Sequence, residues 1–465
     1  MSKDHYLAQV ERLRDDAWHP GAGDLRRRAM MVRNCLQVLP GERVLEFGAG
    51  IGMWTGHLTG ALREENPITS AIFNSRLLPG GSDAHRVDFL LVTDPATDLP
   101  EEHFDHVVGN CMLDHEMYSE TLSMLNRVLK PGGRILMFEN RLSAAFREKL
   151  IEAAHRTGFT GIRVFPFSDA VHGTSAGAST FLLEHAPFVN RLCNATCVCM
   201  TKDGIKPAEN VSLAVHERLF DSVSVVVPCR NEEMNIQPLT EALLRMYSGY
   251  IREIIIVNDN STDGTGRVAA MLAERDRRIR VIDRLPPGGV GRALRDGTGA
   301  ATGSYILTMD CDFVVIVSEL RDLFEAVAAG RDGAVGSRFS SETVMFDYPF
   351  LKILCNRGFH LLINLLLPVK VRDVTNNLKL YRAEIFRGLE IVEDHFAANL
   401  ETGLKPILSG YDIEEVPVSW INRTAGMGSS SFNLMRVGPG YVRALARIVI
   451  DRLLGGKRPV RGADR

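Results

Sequence analysis

The chain has 465 residues, more than one ordinary core accommodates, which implies two or three domains. With 45% hydrophobic and 24% charged residues, the composition is that of a globular protein and excludes a disordered or fibrous one. A formal net charge of −3 excludes the overall basic bias of a nucleic-acid binder.

Met1 to Arg28 is rich in charge and lacks an apolar core, so no secretory signal is expected. The first 40 residues read as helical. From Val44 onward, short apolar runs alternate with longer amphipathic ones, and strands are expected at 43–47, 68–73, 87–92, 106–109, 134–138 and 195–200. Such alternation gives a parallel sheet flanked by helices. The eight cysteines are scattered, which fits a reducing cytosol. Cys193, Cys197 and Cys199 form the only cluster. They fall short of a zinc ligand set, and the alternation in TCVCM reads as a strand. Thr201 to Asn210 is polar, contains Gly and Pro, and reads as a linker.

The pattern restarts with strands expected at 223–227, 253–257, 280–282, 304–309 and 333–336. The run from Leu351 to Val369 is interrupted at helical spacing by Lys352, Asn356, Arg357, His360 and Asn364. It reads as an amphipathic helix, packed on a domain or lying on a membrane. The stretch from Arg436 to Arg465 carries eight Lys/Arg against two Asp, and Arg436, Arg443 and Arg447 share one helical face. That face suits an anionic bilayer. The expected division is 1–205, 206–435 and a basic amphipathic tail at 436–465.

Two loops carry the chemistry. In VLEFGAGIG, residues 44–52, a strand runs into glycines, which allow a sharp turn and close approach of a ligand. DFLLVTDPATDLP and LNRVLKPGGRILMFEN follow downstream. The three blocks together resemble the class I S-adenosylmethionine-dependent methyltransferases over roughly residues 30 to 200. The resemblance implies that Glu46, Gly48, Gly50 and Gly52 form the loop on the methionine side of S-adenosylmethionine. It implies Asp94 beside the adenine and Asn110 near the methyl donor. Asn74 stands where the family carries a ribose-binding acid, a weaker and neutral partner. His115 and Glu116 lie where a general base could sit, but read more simply as surface loop residues.

The second loop is SVVVPCRNEE, followed by EIIIVNDNSTDGTG, GGVGRALRDG and YILTMDCDF. Carboxylates at the ends of adjacent strands can grip a base and a ribose. Asp310 and Asp312, at i and i+2 past a buried strand, point the same way and suit Mg2+ or Mn2+. Over about residues 220 to 435 the set resembles the family-two glycosyltransferases, in the branch similar to dolichol-phosphate mannose synthase. The resemblance implies inverting transfer from a nucleoside-diphosphate sugar. Pro228, Asn231, Glu232, Asp259, Asp263 and Asp310 would hold the nucleotide sugar, and Asp310 and Asp312 the metal. Asp312, Arg338, Arg423 and Glu401 would serve catalysis, the two arginines by orienting an anionic acceptor such as a polyprenyl phosphate. Asn258 in place of an Asp, FVVIV after Asp312, and GMGSSSFN without its Lys depart from the family pattern.

The expected fold class is α/β, with two Rossmann-like domains: a methyltransferase fold, then a nucleotide-diphospho-sugar glycosyltransferase fold. The expected protein is a bifunctional transferase with a glycan or polyprenyl phosphate acceptor and no nucleic-acid partner. It is expected in the cytoplasm, on the cytoplasmic face of the membrane. The alternative is a glycosyltransferase with a soluble hydroxyl acceptor and a non-catalytic methyltransferase-like binding module.

Overall fold

The computed structural model describes residues 22–47, 54–62, 66–72, 87–110, 113, 117–167, 193, 195–204, 215–340, 343, 345–346, 348–421 and 434–454. Chain contacts separate two compact units, Met1–Val211 and Ser212–Arg465.

The first unit begins with α1 (Ala22–Leu36), β1 (Val44–Phe47), α2 (Thr55–Ala61), β2 (Ile68–Ile72), β3 (Val87–Leu91) and the short α3 (Pro95–Asp98). It continues with β4 (Phe104–Asn110), α4 (Tyr118–Val128), β5 (Leu129–Asn140), α5 (Ala144–Arg156), β6 (Phe159–Phe167) and β7 (Ala195–Lys202). The sheet order is β3-β2-β1-β4-β5-β7-β6. β1 to β5 are parallel neighbours, whereas β7 runs antiparallel to both β5 and β6. All four residues of β1 are buried, as a central strand covered on both faces requires. Leu45, Val107, Ile135 and Met137 from the sheet pack with Leu122, Leu125 and Leu150 from α4 and α5. Strand order reverses between β1 and β4, and a ligand crevice belongs outside the carboxyl ends of those two strands. Thr201 and Lys202, expected in the linker, instead complete β7, where Cys197 is buried.

The second unit runs β8 (Val223–Cys229), α6 (Ile236–Tyr247), β9 (Ile251–Asp259), α7 (Thr265–Arg275), β10 (Ile279–Arg284), α8 (Val290–Ala300) and β11 (Tyr305–Thr308). Then come α9 (Leu320–Ala328), β12 (Gly333–Ser337), β13 (Met345–Phe346), α10 (Phe350–Leu366), β14 (Lys379–Arg382), α11 (Ala383–Arg387), α12 (Ala398–Leu408), β15 (Ile413–Pro417), β16 (Trp420–Ile421) and α13 (Leu434–Leu453). Its main sheet is ordered β10-β9-β8-β11-β14-β12-β15. β10, β9, β8 and β11 are parallel, and β14 is antiparallel to β11 and β12. The reversal of order falls between β8 and β11, so the carboxyl ends of those strands open the site. Glycines at 289 and 291 let the start of α8 meet the 393–394 backbone: a Cβ there would lie 2.3 Å from the Asp394 carbonyl and 2.0 Å from that of Glu393. Ile363 of α10, Leu400 and Leu404 of α12, and Ala444, Leu445 and Ile448 of α13 share a separate core, so α13 packs within this unit. Among the described residues, no helix is long and apolar enough to cross a membrane.

Candidate functional sites

In the first unit, Glu46 lies within β1 and is fully buried. Its Oε2 accepts hydrogen bonds from the hydroxyls of Thr55 (2.7 Å) and Ser70 (2.8 Å). Burial raises its pKa, and those two bonds offset the rise only in part. Among the described residues its Oε1 has no partner, and neither has the indole nitrogen of the buried Trp54 just ahead of α2. An orphaned acceptor and an orphaned donor therefore lie on the residues that precede and follow the glycine run in the sequence. Such atoms are costly unless a ligand completes them, and the ammonium and carboxylate of a methionine moiety are chemically suited to do so. Asn110 ends β4, and its Oδ1 accepts from Arg28 Nη1 at 3.0 Å. The Arg28 guanidinium lies over the rings of Phe138 (5.1 Å) and Phe167 (5.7 Å). Asp94 is exposed, and its carbonyl accepts from the Thr97 and Asp98 amides at the start of α3. Gly48, Gly50, Gly52, Asn74, His115 and Glu116 lie outside the described residues.

In the second unit, three loops are tied together at the carboxyl edge of the sheet. Asn231 sits in the left-handed region at φ 58°, which brings its backbone N–H to Ser261 Oγ (3.0 Å) and its Oδ1 to the Thr262 N–H (2.8 Å). The Glu232 N–H donates to Thr265 Oγ1 (2.8 Å), and Asp263 accepts from the amides of Thr265 (3.0 Å) and Glu233 (3.3 Å). Asp259 is buried and pairs with Arg284, and its second oxygen accepts from the Gly289 N–H at 2.6 Å. Asn258, in place of the family's Asp, donates to Asp283 at 2.7 Å. Pro228 lies inside β8, half-buried. Loops after β8, β9 and β10 thus form one preorganised rim.

Asp310 and Asp312 follow β11 beside this rim. Asp310 faces Asn377 across the antiparallel β11/β14 pair, and Asn377 Nδ2 donates to its Oδ1 at 2.8 Å. Burial, and then the charge of Asp312, raise the Asp310 pKa to about 6, while the Asn377 bond works in the opposite direction. These two carboxylates, both half-buried and mutually repulsive, fit a divalent cation that offsets their repulsion. Among the described residues no cluster of three or more His, Cys, Asp or Glu forms a closed metal cage. A pair of carboxylates is nevertheless what Mg2+ uses when substrate phosphates complete its shell.

Behind them lies a buried polar network. Lys379 is fully buried and donates to the Asn376 carbonyl. Burial pulls its pKa down to about 7 against the opposing effects of Asp310 and Asp373. Arg338 engages Asp373 through Nε (2.6 Å) and Nη2 (2.9 Å), inside a box of Phe339, Tyr348 and Trp420 with ring centroids 5.6–6.0 Å away. Burial disfavours the Arg338 charge, yet Asp373 more than compensates and the net shift is upward. The same pairing overcomes the burial of Asp373 and holds its carboxyl at about 2. Asp373, Asn377 and Lys379 were not legible as site residues, because nothing in their local sequence marks them.

Glu401 is placed differently. It is buried on α12, its Oε2 accepts from the amides of Val392 (2.9 Å) and Glu393 (2.7 Å), and its Oε1 pairs with Lys405 (2.6 Å). It anchors the loop that meets Gly289 and Gly291. Arg423 and the 426–433 loop lie outside the described residues.

A methyltransferase domain family model matches residues 45–137, and the glycosyl transferase family 2 model matches 224–389. The chain is 28% identical over 219 residues to a polyprenol monophosphomannose synthase of Mycolicibacterium smegmatis, covering 46% of this chain and 82% of that protein. It is 28% identical over 221 residues to a dolichol-phosphate mannosyltransferase of Pyrococcus furiosus, covering 46% of this chain and 62% of that protein. It is 30% identical over 208 residues to glycosyltransferase AglD of Haloferax volcanii, covering 43% of this chain and 33% of that one. The chain therefore spans less than two thirds of the latter two. Among solved structures, a UDP complex of glucosyl-3-phosphoglycerate synthase from Mycobacterium tuberculosis matches with a TM-score of 0.40 at 17% identity, over 49% of this chain and 80% of that one. The [4+2]-cyclase SpnF matches at 0.29 and 18%, over 39% and 81%. At such values the fold assignment stays with the strand order and the family models. The chain carries an N-terminal methyltransferase domain and a C-terminal domain of glycosyltransferase family 2, with relatives of the dolichol-phosphate mannosyltransferase kind.

Proposed function

We propose that the second domain transfers a hexosyl group, with inversion, from a nucleoside-diphosphate sugar to a polyprenyl phosphate at a membrane surface. The observation that carries this is Asp310 and Asp312 at the topological switch point, with Asp310 oriented by Asn377. The names of the two mannosyl-transferring relatives support the acceptor class. A bound Mg2+ or Mn2+, held by Asp310 and Asp312, would supply Lewis acidity to the departing diphosphate. The chain's own residues do the rest. Asn231, Glu232, Asp259 and Asp263 fix the rim against which the nucleotide lies, and Arg338 faces the acceptor phosphate. An acceptor phosphate is already anionic: its oxygen attacks the anomeric carbon, the bond to the diphosphate breaks, and no general base is required.

Membrane attachment is supported by the outer faces of α10 and α13. Leu351, Leu354, Leu361, Leu365 and Leu366 of α10 are exposed by 50–73%, and Val442, Ile450 and Leu453 of α13 by 52–78%. Exposed Arg443 and Arg452 lie on the same helix as the latter three. An apolar face edged with cations suits an anionic lipid surface.

For the first domain, the orphaned Glu46 and Trp54 atoms support binding of S-adenosylmethionine, whose sulfonium supplies an already activated methyl group. The domain would then only align donor and acceptor.

The experiment is to incubate the full chain and an Asp312→Ala variant with GDP- and UDP-hexoses, Mn2+ and polyprenyl phosphate. Lipid-linked sugar should form with the native chain and fall at least a hundredfold in the variant. Full activity in the variant would remove the metal assignment.

A further inference from the structure

In the first unit a cavity of about 500 Å3 opens at the end of β5, lined by Arg141, Leu142, Ser143, Arg147, Pro166 and Ala195 among others. Its place in the sheet is fixed by register. Ala195 pairs with Asn140, the last residue of β5, and with Phe167, the last residue of β6, while Asn110 pairs with Phe138 two residues before Asn140. The cavity therefore shares the sheet edge with the carboxyl end of β4 and the crevice where strand order reverses. Phe138 and Phe167, whose rings lie 5.1 and 5.7 Å from the Arg28 guanidinium, sit on β5, which leads into that lining, and on β6, which contributes Pro166 to it.

The charge of the lining is one-sided. No Asp or Glu lines the cavity among the described residues. Arg147 donates through Nε to the Leu142 carbonyl at 3.3 Å, and neither Arg141 nor Arg147 has a carboxylate partner among the described residues. Other cations of the unit are differently placed: Lys130 pairs with Asp105 and Lys202 with Glu102, both at 3.1 Å. The Ser143 oxygen is already taken by the Phe146 N–H (3.2 Å), so the attraction for an anion comes from the two guanidiniums and not from the helix end. Guanidinium forks match the oxygens of a carboxylate or phosphate.

We infer that this cavity is the methyl-acceptor subsite, and that the acceptor carries an anionic group, carboxylate or phosphate, held by Arg141 and Arg147. The inference rests on the methyl-transfer reading above and adds the substrate class. The acceptor body fills the space beside Pro166 and Ala195, and the charged group lies at the arginines.

The test uses the full chain saturated with S-adenosylhomocysteine, titrated calorimetrically with glucose 6-phosphate, glucuronate and the neutral methyl glucoside. At least one charged sugar should bind ten or more times tighter than methyl glucoside, and the two charged sugars separate phosphate from carboxylate. An Arg141→Gln/Arg147→Gln variant should lose that preference and keep its affinity for S-adenosylhomocysteine, which also assigns the effect to this cavity and not to the second domain. Should the double variant misfold, Arg141→Gln alone carries the test, because Arg141 is exposed; it should weaken the preference severalfold. Equal binding of all three sugars, or a preference that survives both substitutions, overturns the inference. Failure to bind S-adenosylhomocysteine in protein that still prefers charged sugars would overturn the methyl-transfer reading and, with it, the acceptor assignment, leaving an anion pocket.

Discussion

Replacing Asn377 by Leu isolates the one hydrogen bond that aims Asp310. Leu has similar bulk, and the Asn377 carboxamide oxygen is itself buried without a partner among the described residues, so losing that oxygen costs little and the substitution destabilises the fold mainly where Asp310 is ionised. The bond from Nδ2 stabilises the ionised carboxylate. Bonds to charged groups contribute about 1.5–3 kcal/mol, and one pKa unit corresponds to about 1.4 kcal/mol, so Asp310 should rise by about one to two units. From its value of about 6, it would then titrate near pH 7 to 8. A raised carboxylate pKa makes the proton compete with the metal at low pH. Native Mn2+ affinity should be level above about pH 7 and fall by up to tenfold per unit below about pH 6. In the variant the fall begins about one to two units higher, so affinity at pH 7 drops roughly two- to tenfold and recovers by about pH 8.5. Free Mn2+ measured by electron paramagnetic resonance across this range reads the effect directly. A pH profile superimposable on the native one, or a loss that persists at high pH, would refute the role given to Asn377.

Two further outcomes are expected. Asp373→Asn leaves the Arg338 guanidinium buried without its carboxylate, and breaking a buried pair in this way should cost about 3–5 kcal/mol in urea unfolding; an unchanged midpoint would contradict the pairing. The sign in acid is fixed by the same pair. The Asp373 carboxyl is depressed to about 2, so its contribution is complete above the ordinary carboxylate value of about 4 and is lost as pH falls between the two, a segment of the acid profile that the variant should lack. Separately, Leu361→Glu/Leu365→Glu places charge on positions 61% and 73% exposed. Sedimentation with anionic vesicles should fall severalfold while thermal unfolding stays within about a degree, as surface changes rarely exceed ±0.5 kcal/mol. Retained sedimentation would locate the lipid contact elsewhere.

The sheets were largely legible because buried parallel strands are mostly apolar runs: VLEF, VSVVVPC and YILT announce themselves despite Glu46 and Ser224. Three of the strands that escaped break this rule. β6 contains Gly161 and Pro166 and is an edge strand pairing only with β7, where Pro is tolerated. β15 is also an edge, with Glu414 and Glu415 in its middle. β14 lies inside the sheet, yet its four residues include Lys379 and Arg382 and form no apolar run. The same asymmetry governs the site. Asp310 and Asp312 stand out because carboxylates just past a buried strand have few structural reasons to be there. Asn377 does not stand out, because its meaning comes from a strand 67 residues away. Only the antiparallel register, with Thr308 opposite Lys379, brings the two together.

Arg338 shows what pattern reading leaves out even when it finds the right residue. As a motif it is a free cation waiting for a phosphate. In the fold, Asp373 takes Nε and Nη2, the Tyr348 hydroxyl lies 3.4 Å from Nη1, and three aromatic rings fix the guanidinium plane. Its charge is therefore largely balanced before any acceptor arrives. On the reading proposed above, such an arginine cannot act as a long-range lure. It acts as a preorganised fork whose remaining Nη1 hydrogens are held in place, so that little side-chain entropy is lost on binding. Lys379 adds a second positive group behind the carboxylates, and its depressed pKa places its charge in play near neutrality. The energetic weight of acceptor binding then falls on the apolar face of α10 and α13 and on the prenyl chain, with Arg338 deciding orientation.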